Sequence, residues 1–364
     1  VSALGIFLVT APGLEAVLAA EARDAGFDVL GTVAGGVTLA GGWPEAWRAN
    51  LDLRGAVRVL VRVAEFRAMH LAQLDKRARK LPWGDWLRTR ETVRVEAVCR
   101  KSRIYHDKAA AQRIEGALAA NGFTVKSEGT VSVKLRIEDD LATVSLDTTG
   151  EALHRRGLKE KVHKAPMRET LAALFLRAAG YVGTGTVLDP MCGSGTFVIE
   201  AAEIAAGLQP GRARGFAFQR FPSFDPDAFE AMRRSAPVDG SVRLFGSDRD
   251  TGAVAMARAN AERAGVEAVT RFDHTAIGDL TPPDAPPGLV ILNPPYGGRL
   301  GKNGPLTGLY AAFGEVMRSR FSGWRVAMVT SEAGLARASG LHWEAPGSIV
   351  DNGGIKVRLW QARI

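Results

Sequence analysis

Apolar and polar positions follow two periods along the chain, and the rhythm in which they alternate changes near residue 150. In the first part, period-two alternation predicts strands at "GIFLVT" (5–10), "GVTLAG" (36–41) and "AVRVLVRVAEF" (56–66). A 3.6-residue period predicts helices at "GLEAVLAAEARDAG" (13–26), ended by Gly26, and at "WPEAWRANLDLRG" (43–55). These make a small α+β unit of about 65 residues. The next block predicts a helix at 70–81, a strand at 92–100 with Val93, Val95 and Ala97 on one face, and a helix at 107–122 closed by Asn121-Gly122. It ends in a hairpin at 131–150 that turns at Glu138-Asp139-Asp140.

From about residue 165 the units lengthen. Helices at 165–180, 195–207, 250–265 and 309–321 alternate with strands at 185–190, 241–248, 269–274, 288–296, 325–331 and 355–363, around an irregular stretch at 207–240. Asp250 or Thr251 caps the third of these helices. Strands alternating with helices predict an α/β fold with a doubly wound, mostly parallel sheet. Its ligand then sits outside the carboxyl ends of the strands.

Composition narrows the class. With 46% apolar and 24% charged residues the chain reads as an ordinary globular protein, and no apolar run approaches the roughly 20 residues of a membrane span. The opening has no basic stretch ahead of its apolar residues, so no signal peptide is expected, and Val1 in place of Met suggests trimming. Cys99 and Cys192 are the two cysteines, which argues against a disulfide framework or a zinc site and fits the cytoplasm.

The charge balance, 47 Lys+Arg against 39 Asp+Glu, favours a polyanionic partner. Between Arg54 and Arg113 sixteen basic residues face six acidic ones. They include Arg77, Arg79 and Lys80 in "KRARK" (76–80) and Arg100, Lys101 and Arg103 in "CRKSRIYHDK" (99–108). Arg155 and Arg156 stand in a second cluster, "HRRGLKEKVHK" (154–164). Solvated helix faces and a basic linker are one reading; the interleaved Trp83, Trp86, Tyr105 and His106 favour an RNA-contacting surface.

Candidate chemistry begins at "VLDPMCGSGTFVIEAA" (187–202), an apolar strand, an acid, a Gly-Ser-Gly turn and a helix. Glycines let the backbone approach a ligand, and the helix N-terminus presents free N–H groups. A phosphate loop would need Gly-Lys-Ser/Thr, and this turn has no lysine; a dinucleotide loop would need a small residue where Val198 stands. S-adenosylmethionine remains: its ammonium suits Asp189, which would repel a pyrophosphate. Asp248, ending the next strand, is the expected ribose acid. The structural alternatives are a strand-end turn for Asp189 and a helix cap for Asp248.

The second motif is "ILNPPYG" (291–297). Two prolines supply no N–H and hold φ, so they cannot continue a central strand and should form a stiff edge at its mouth. If the Asn293 side-chain oxygen and the Pro294 carbonyl each accept a hydrogen from an exocyclic base amine, its lone pair is aimed at the sulfonium methyl. Such positioning can lower a barrier by up to ~7–11 kcal/mol. Tyr296 would stack on a flipped base. Neither a metal nor a strong base is required. The alternative is a plain strand-end turn.

"APMRETLAA", "LDPMCGSGTFVIEAA" and "NPPYGGRL" together resemble class I S-adenosylmethionine-dependent RNA methyltransferases with a THUMP domain. Among these, the chain is most similar to bacterial enzymes that methylate guanine N2 in 23S ribosomal RNA. "DTTGEALHRRG" (147–157) is similar to the family's THUMP closure. The resemblance implies a ferredoxin-like domain at 1–65, a THUMP RNA-binding domain at 66–155 and a Rossmann-like catalytic domain at 156–364. It implies that Asp189, Gly193, Ser194, Gly195 and Asp248 hold the donor, with Pro166, Met167, Glu169 and Thr170 at its methionine end. Pro190, Cys192, Thr196 and Arg249 are assigned to the same set, Cys192 as loop filler rather than reactive thiol. The acid expected to contact adenine falls near Thr275-Ala276, with Asp273 a displaced substitute. Some members carry a second, C-terminal methyltransferase domain, and none is read before Ile364. The partner implied is 23S rRNA or a large-subunit assembly intermediate, with S-adenosylhomocysteine as product. Transfer RNA, adenine N6 in DNA or RNA, a non-catalytic assembly factor and a nicotinamide oxidoreductase are the rival readings.

Overall fold

The computed structural model describes residues 5–158, 167–234, 238, 240, 244–296 and 304–364. Pro166, residues 159–164 of the second basic cluster, residues 297–300 of the proline motif and the start of the 241–248 strand lie outside them. The first elements are β1 (Gly5–Val9), α1 (Glu15–Asp24), β2 (Val29–Val33), β3 (Gly36–Leu39), α2 (Trp43–Asp52) and β4 (Arg58–Arg67). Then come α3 (Leu71–Ala78), α4 (Trp83–Trp86), β5 (Thr92–Arg100), α5 (Asp107–Ala120), β6 (Thr124–Val125), β7 (Val131–Glu138) and β8 (Leu141–Asp147). The remainder comprises α6 (Glu169–Ala178), β9 (Val187–Asp189), α7 (Thr196–Ala205), α8 (Pro226–Glu230), β10 (Leu244–Asp248), α9 (Thr251–Ala264) and β11 (Thr270–His274). It closes with β12 (Leu289–Leu292), α10 (Gly304–Arg320), β13 (Arg325–Thr330), α11 (Ala333–Ala338), β14 (Val350–Asn352) and β15 (Ile355–Arg363).

The chain forms two compact units, one of Val1–Thr10, Ala19–Leu153 and Arg214–Arg233, the other of Ala11–Leu18, His154–Ala213 and Arg234–Ile364. The first is built on an eight-stranded sheet ordered β2-β3-β1-β4-β8-β7-β5-β6. β4 pairs with β1 on one edge and β8 on the other, so one sheet carries both blocks of the sequence pattern. The β7–β8 hairpin turns at Asp139 and Asp140, both at positive φ (50° and 63°), the geometry a two-residue hairpin needs. The pattern misses β2: Leu30 and Val33 are exposed on this edge strand, so no alternation marks it.

Arg214–Arg233 of the irregular stretch belong to this first unit. Trp47 of α2 meets Phe218 and Phe224, with ring centroids 6.0 and 5.7 Å apart, and the Phe218 N–H donates to the Thr148 carbonyl at 3.0 Å. Arg220 pairs with Glu91 at 3.2 Å.

The second unit holds a seven-stranded sheet ordered β11-β10-β9-β12-β13-β15-β14. β9 to β13 run parallel; β15 is antiparallel to β13 and to β14. β12 is buried along its whole length, as a central parallel strand must be. Phe313 and Met317 of α10, with Phe321 just past its end, share one core with Val290, Leu292 and Met328. Strand order reverses at β9, so β10 and β12 flank its carboxyl end, the place where open α/β sheets bind ligands. Among the described residues no helix is long and apolar enough to cross a membrane.

Candidate functional site

Two segments frame that switch point. β9 ends at Asp189, whose carboxylate accepts the Met191 N–H at 3.0 Å and turns the chain. The Cys192 N–H donates to the Ser247 carbonyl at 2.9 Å, and the Gly193 N–H to an Asp248 carboxylate oxygen at 3.0 Å. The other Asp248 oxygen accepts the Asp250 N–H at 3.0 Å. The turn is thus tied to the end of β10. Asp250 caps α9, accepting from the Gly252 and Ala253 N–H groups at 2.8 and 3.3 Å.

Gly195 begins α7 at φ 84°, and a Cβ there would stand 3.1 Å from the Ala257 Cβ. At Gly246, beneath the turn, a Cβ would meet the Phe272 ring at 2.6 Å and the Cys192 Cβ at 3.1 Å. Gly195 is required by conformation and by space, Gly246 by space. Asn260 of α9 donates to the Ser194 carbonyl at 3.0 Å and accepts from Arg263.

The electrostatics are set by burial. Asp189 is 3% exposed, and burial, with the Asp248 charge adding to it, pushes its carboxyl up to about 8, against the pull of the Met191 N–H. Burial and the same two acids push the Cys192 thiol far up, so it stays protonated and fills space. Pro190, Ser194 and Thr196 are buried around the turn, and Arg249 is exposed just beyond β10. Met167 and Thr170 are buried at the start of α6, which packs on α7; Glu169 and Thr196 line one small cavity with Arg156 and Glu200.

The second segment leaves β12. Its register with β9 pairs Leu289 with Val187 and Val290 with Leu188, which brings Asn293 just beyond the level of Asp189 on the adjacent strand. Pro294 and Tyr296 are buried and Pro295 is exposed. The Asn293 Oδ1 is buried and has no hydrogen-bond partner among the described residues. A buried acceptor left unpaired costs about 1–3 kcal/mol, and such atoms in native structures call for a reason. Tyr310 donates to the Pro295 carbonyl at 3.2 Å, and Asn352 donates to the Tyr296 hydroxyl at 3.2 Å. Neither carried a sequence signal: Tyr310 reads as one more apolar residue of a helix, and Asn352 as a turn residue.

Other predicted residues lie apart. Asp273 pairs in register with Ser247, on the opposite side of the sheet from Asp248, and its carboxylate meets Arg271 at 2.8 Å in an open groove beside Arg258. Arg77, Arg79, Lys80, Arg100, Lys101, Arg103 and Arg155 are exposed. Arg103 is steered by Asp140, which accepts its backbone N–H at 2.8 Å. Arg156 is 5% exposed and its guanidinium is committed to Glu200 at 3.1 Å, so it does not face solvent with the others. Nor do the interleaved aromatics form one surface. Trp83 is core, donating to the Ala78 carbonyl at 2.9 Å, and His106 caps α5, while Tyr105 is 82% exposed.

Comparison with known proteins adds to this geometry. Residues 156–358 match the RMKL-like methyltransferase domain, and residues 5–60 match the RlmL ferredoxin-like domain. The ribosomal RNA large subunit methyltransferase K/L of Syntrophotalea carbinolica is 39% identical over 92% of this chain and 50% of that protein. A putative RNA methyltransferase of Synechocystis is 30% identical over 97% of this chain and 95% of that one. The solved structure of a putative methyltransferase complexed with SAH superposes with a TM-score of 0.86 at 26% identity, covering 99% of this chain and 98% of that one. The chain spans about half the length of the K/L relative and nearly all of the Synechocystis one.

Proposed function

The chain belongs to the RMKL-like methyltransferase family, and we propose that it is an S-adenosylmethionine-dependent RNA N-methyltransferase acting on the exocyclic N2 of a guanine in 23S ribosomal RNA. The observation that carries the chemistry is the buried Asn293 Oδ1, without a partner among the described residues, at the mouth of β12 and one strand from the Asp189 turn.

The residues present fit the donor. Asp189 is a carboxyl that burial holds near neutrality and that a neighbouring ammonium would ionise. Asp248 offers lone pairs to a pair of ribose hydroxyls at the end of β10, and a Cβ built on Gly193 meets nothing within 4 Å. Met167, Glu169 and Thr170 extend the set towards the methionine end. When bound, S-adenosylmethionine supplies an electrophilic methyl group on a sulfonium.

The protein's own task is then geometric. The Asn293 Oδ1 and the Pro294 carbonyl accept the two amine hydrogens, which turns the nitrogen lone pair towards the methyl and holds it there. Tyr296 offers its ring to the base. The proton leaves after the new C–N bond forms, so no strong base is demanded.

On the substrate side, the exposed Arg77, Arg79, Lys80, Arg100, Lys101 and Arg103, with Tyr105, are the proposed RNA contacts of the first unit, and Arg155 is one of the second. We assign the ferredoxin-like role to 1–65, the THUMP role to 66–155 and catalysis to 156–364. The two free cysteines agree with a cytoplasmic site of action on rRNA or an assembly intermediate.

Methyl transfer from labelled S-adenosylmethionine to 23S rRNA, 16S rRNA, tRNA and duplex DNA, read as modified nucleosides, tests the proposal. N2-methylguanosine from 23S rRNA is the expected product. N2-methylguanosine from tRNA or N6-methyladenine from any substrate would keep the chemistry and replace the target. No transfer despite donor binding would overturn the enzymatic reading.

A further inference from the structure

The segment Asn293–Tyr296 is poor in means of holding itself. Its two prolines have no N–H, so any hydrogen bond that fixes them must run to their carbonyls. One such bond comes from Tyr310 on α10, 1% exposed, whose hydroxyl donates to the Pro295 carbonyl at 3.2 Å. The same hydroxyl lies 3.2 Å from the Thr330 Oγ1, at the end of β13. Thr330 in turn accepts the Glu332 N–H at 3.2 Å.

The ends of this chain dictate its polarity. A backbone N–H at one end can only donate and a carbonyl at the other can only accept. The Thr330 hydroxyl must therefore donate to Tyr310, and Tyr310 to Pro295. Burial, with Tyr296 and Glu332 alongside, pushes the Tyr310 phenol up to about 12, so it keeps its proton and serves as a donor, not a base. Asn352 grips the next residue, donating to the Tyr296 hydroxyl at 3.2 Å.

We propose that Tyr310, oriented by Thr330, is the positioning residue of the acceptor site: it clamps the Pro295 carbonyl and thereby sets where the Asn293 and Pro294 oxygens face the substrate amine. The inference rests on the reading of this site as an amine methyltransferase. Tyr310 touches no reacting atom; it acts through the peptide that does. A clamp of this kind aims the amine without altering how RNA or donor is held, so its signature is a change in kcat alone.

The test is Tyr310→Phe in the full chain, which keeps the ring and removes the hydroxyl. With transcribed 23S rRNA and saturating S-adenosylmethionine, kcat is expected to fall about 10- to 100-fold, as for a small misplacement of reacting groups. The KM for RNA and the calorimetric affinity for S-adenosylhomocysteine should stay within about twofold of wild type. Thr330→Val should act in the same direction, and the double variant should be no worse than Tyr310→Phe, because the two hydroxyls work as one chain. Wild-type protein that methylates nothing would overturn the reading of the site, and the clamp with it. Wild-type transfer with an unchanged kcat in Tyr310→Phe, or a change confined to KM, would overturn the clamp alone. Should Tyr310→Phe fail to fold by thermal melt, Thr330→Val decides by the same criteria.

Discussion

The turn after β9 and the edge after β12 are neighbours in one sheet, and they are built by opposite means. The turn is made of glycines and keeps its N–H groups; it uses them on Ser247 and Asp248 at the end of β10 and on its own Cys192. The edge is made of prolines, has few N–H groups and is fixed by hydroxyl and amide groups arriving from Tyr310 and Asn352. An acid stands on either strand beside the turn, Asp189 of β9 pushed up towards neutrality and Asp248 of β10, and the edge carries an acceptor with no partner among the described residues. A glycine-rich main chain can be held through its own N–H donors. A stiff one that must aim a lone-pair acceptor needs its support from elsewhere in the fold.

The contrast can be broken at its strongest point with Asn293→Ala. Removing this buried oxygen should lower kcat by about 10²–10³-fold, the scale of deleting one preorganised group from a reacting centre, with S-adenosylhomocysteine affinity nearly intact. Full retained activity would remove the amine-orienting role. The mirror experiment is Asp248→Asn, which should weaken S-adenosylhomocysteine binding roughly 10- to 100-fold, the equivalent of a charged hydrogen bond of about 1.5–3 kcal/mol, while transfer at saturating donor persists. Equal losses in both parameters for both variants would erase the division between the two segments.

Charge reversal at Arg77, Arg79 and Lys80 probes neither segment directly. It should raise the KM for RNA and flatten its salt dependence by up to about 0.7–0.9 for each phosphate no longer neutralised, with kcat unchanged. An unaltered salt slope would assign those cations to plain solvation.

A different kind of effect, on stability and not on turnover, belongs to Asp189 in the ligand-free protein. Its carboxyl rises from 3.8 to about 8 on folding, so folding takes up a proton between those values. The stability linked to that proton is complete below about pH 4 and is lost as pH rises through about 8. Thermal melts from about pH 5 to about pH 9 should therefore show wild type losing stability relative to Asp189→Asn. A constant difference between the two would mean that burial does not hold the carboxyl neutral.

Much of this was legible along the chain. Period and punctuation located the strands and helices that frame the site: β9, α7, β10, α9 and β12 all fall within their expected segments. The cap was narrowed to Asp250 or Thr251, and is Asp250, because capping is a local matter of one side chain and nearby N–H groups. The glycine turn and the proline edge were readable for the same reason, since each restricts its own φ angles. Elements formed by pairing alone were not: β2, β6 and β14 are short or exposed and carry no period of their own.

Arg156 shows the limit most clearly. Beside Arg155 in a basic run it reads as a surface charge, yet its guanidinium lies buried against Glu200 of α7, a helix whose inner face reads as apolar. Trp83 and Tyr105 divide in the same way, one into the core and one into solvent. Residue chemistry and local backbone restriction act over a few positions, and they were enough to set the class of fold, the glycine turn with an acid on either strand beside it and the proline edge. Packing in three dimensions settled the rest: which cations stay exposed, that Arg214–Arg233 joins the first unit, and that Tyr310, Thr330 and Asn352 hold the edge. Those depend on which residues burial brings within hydrogen-bonding distance of each other, and sequence separation carries no record of that distance.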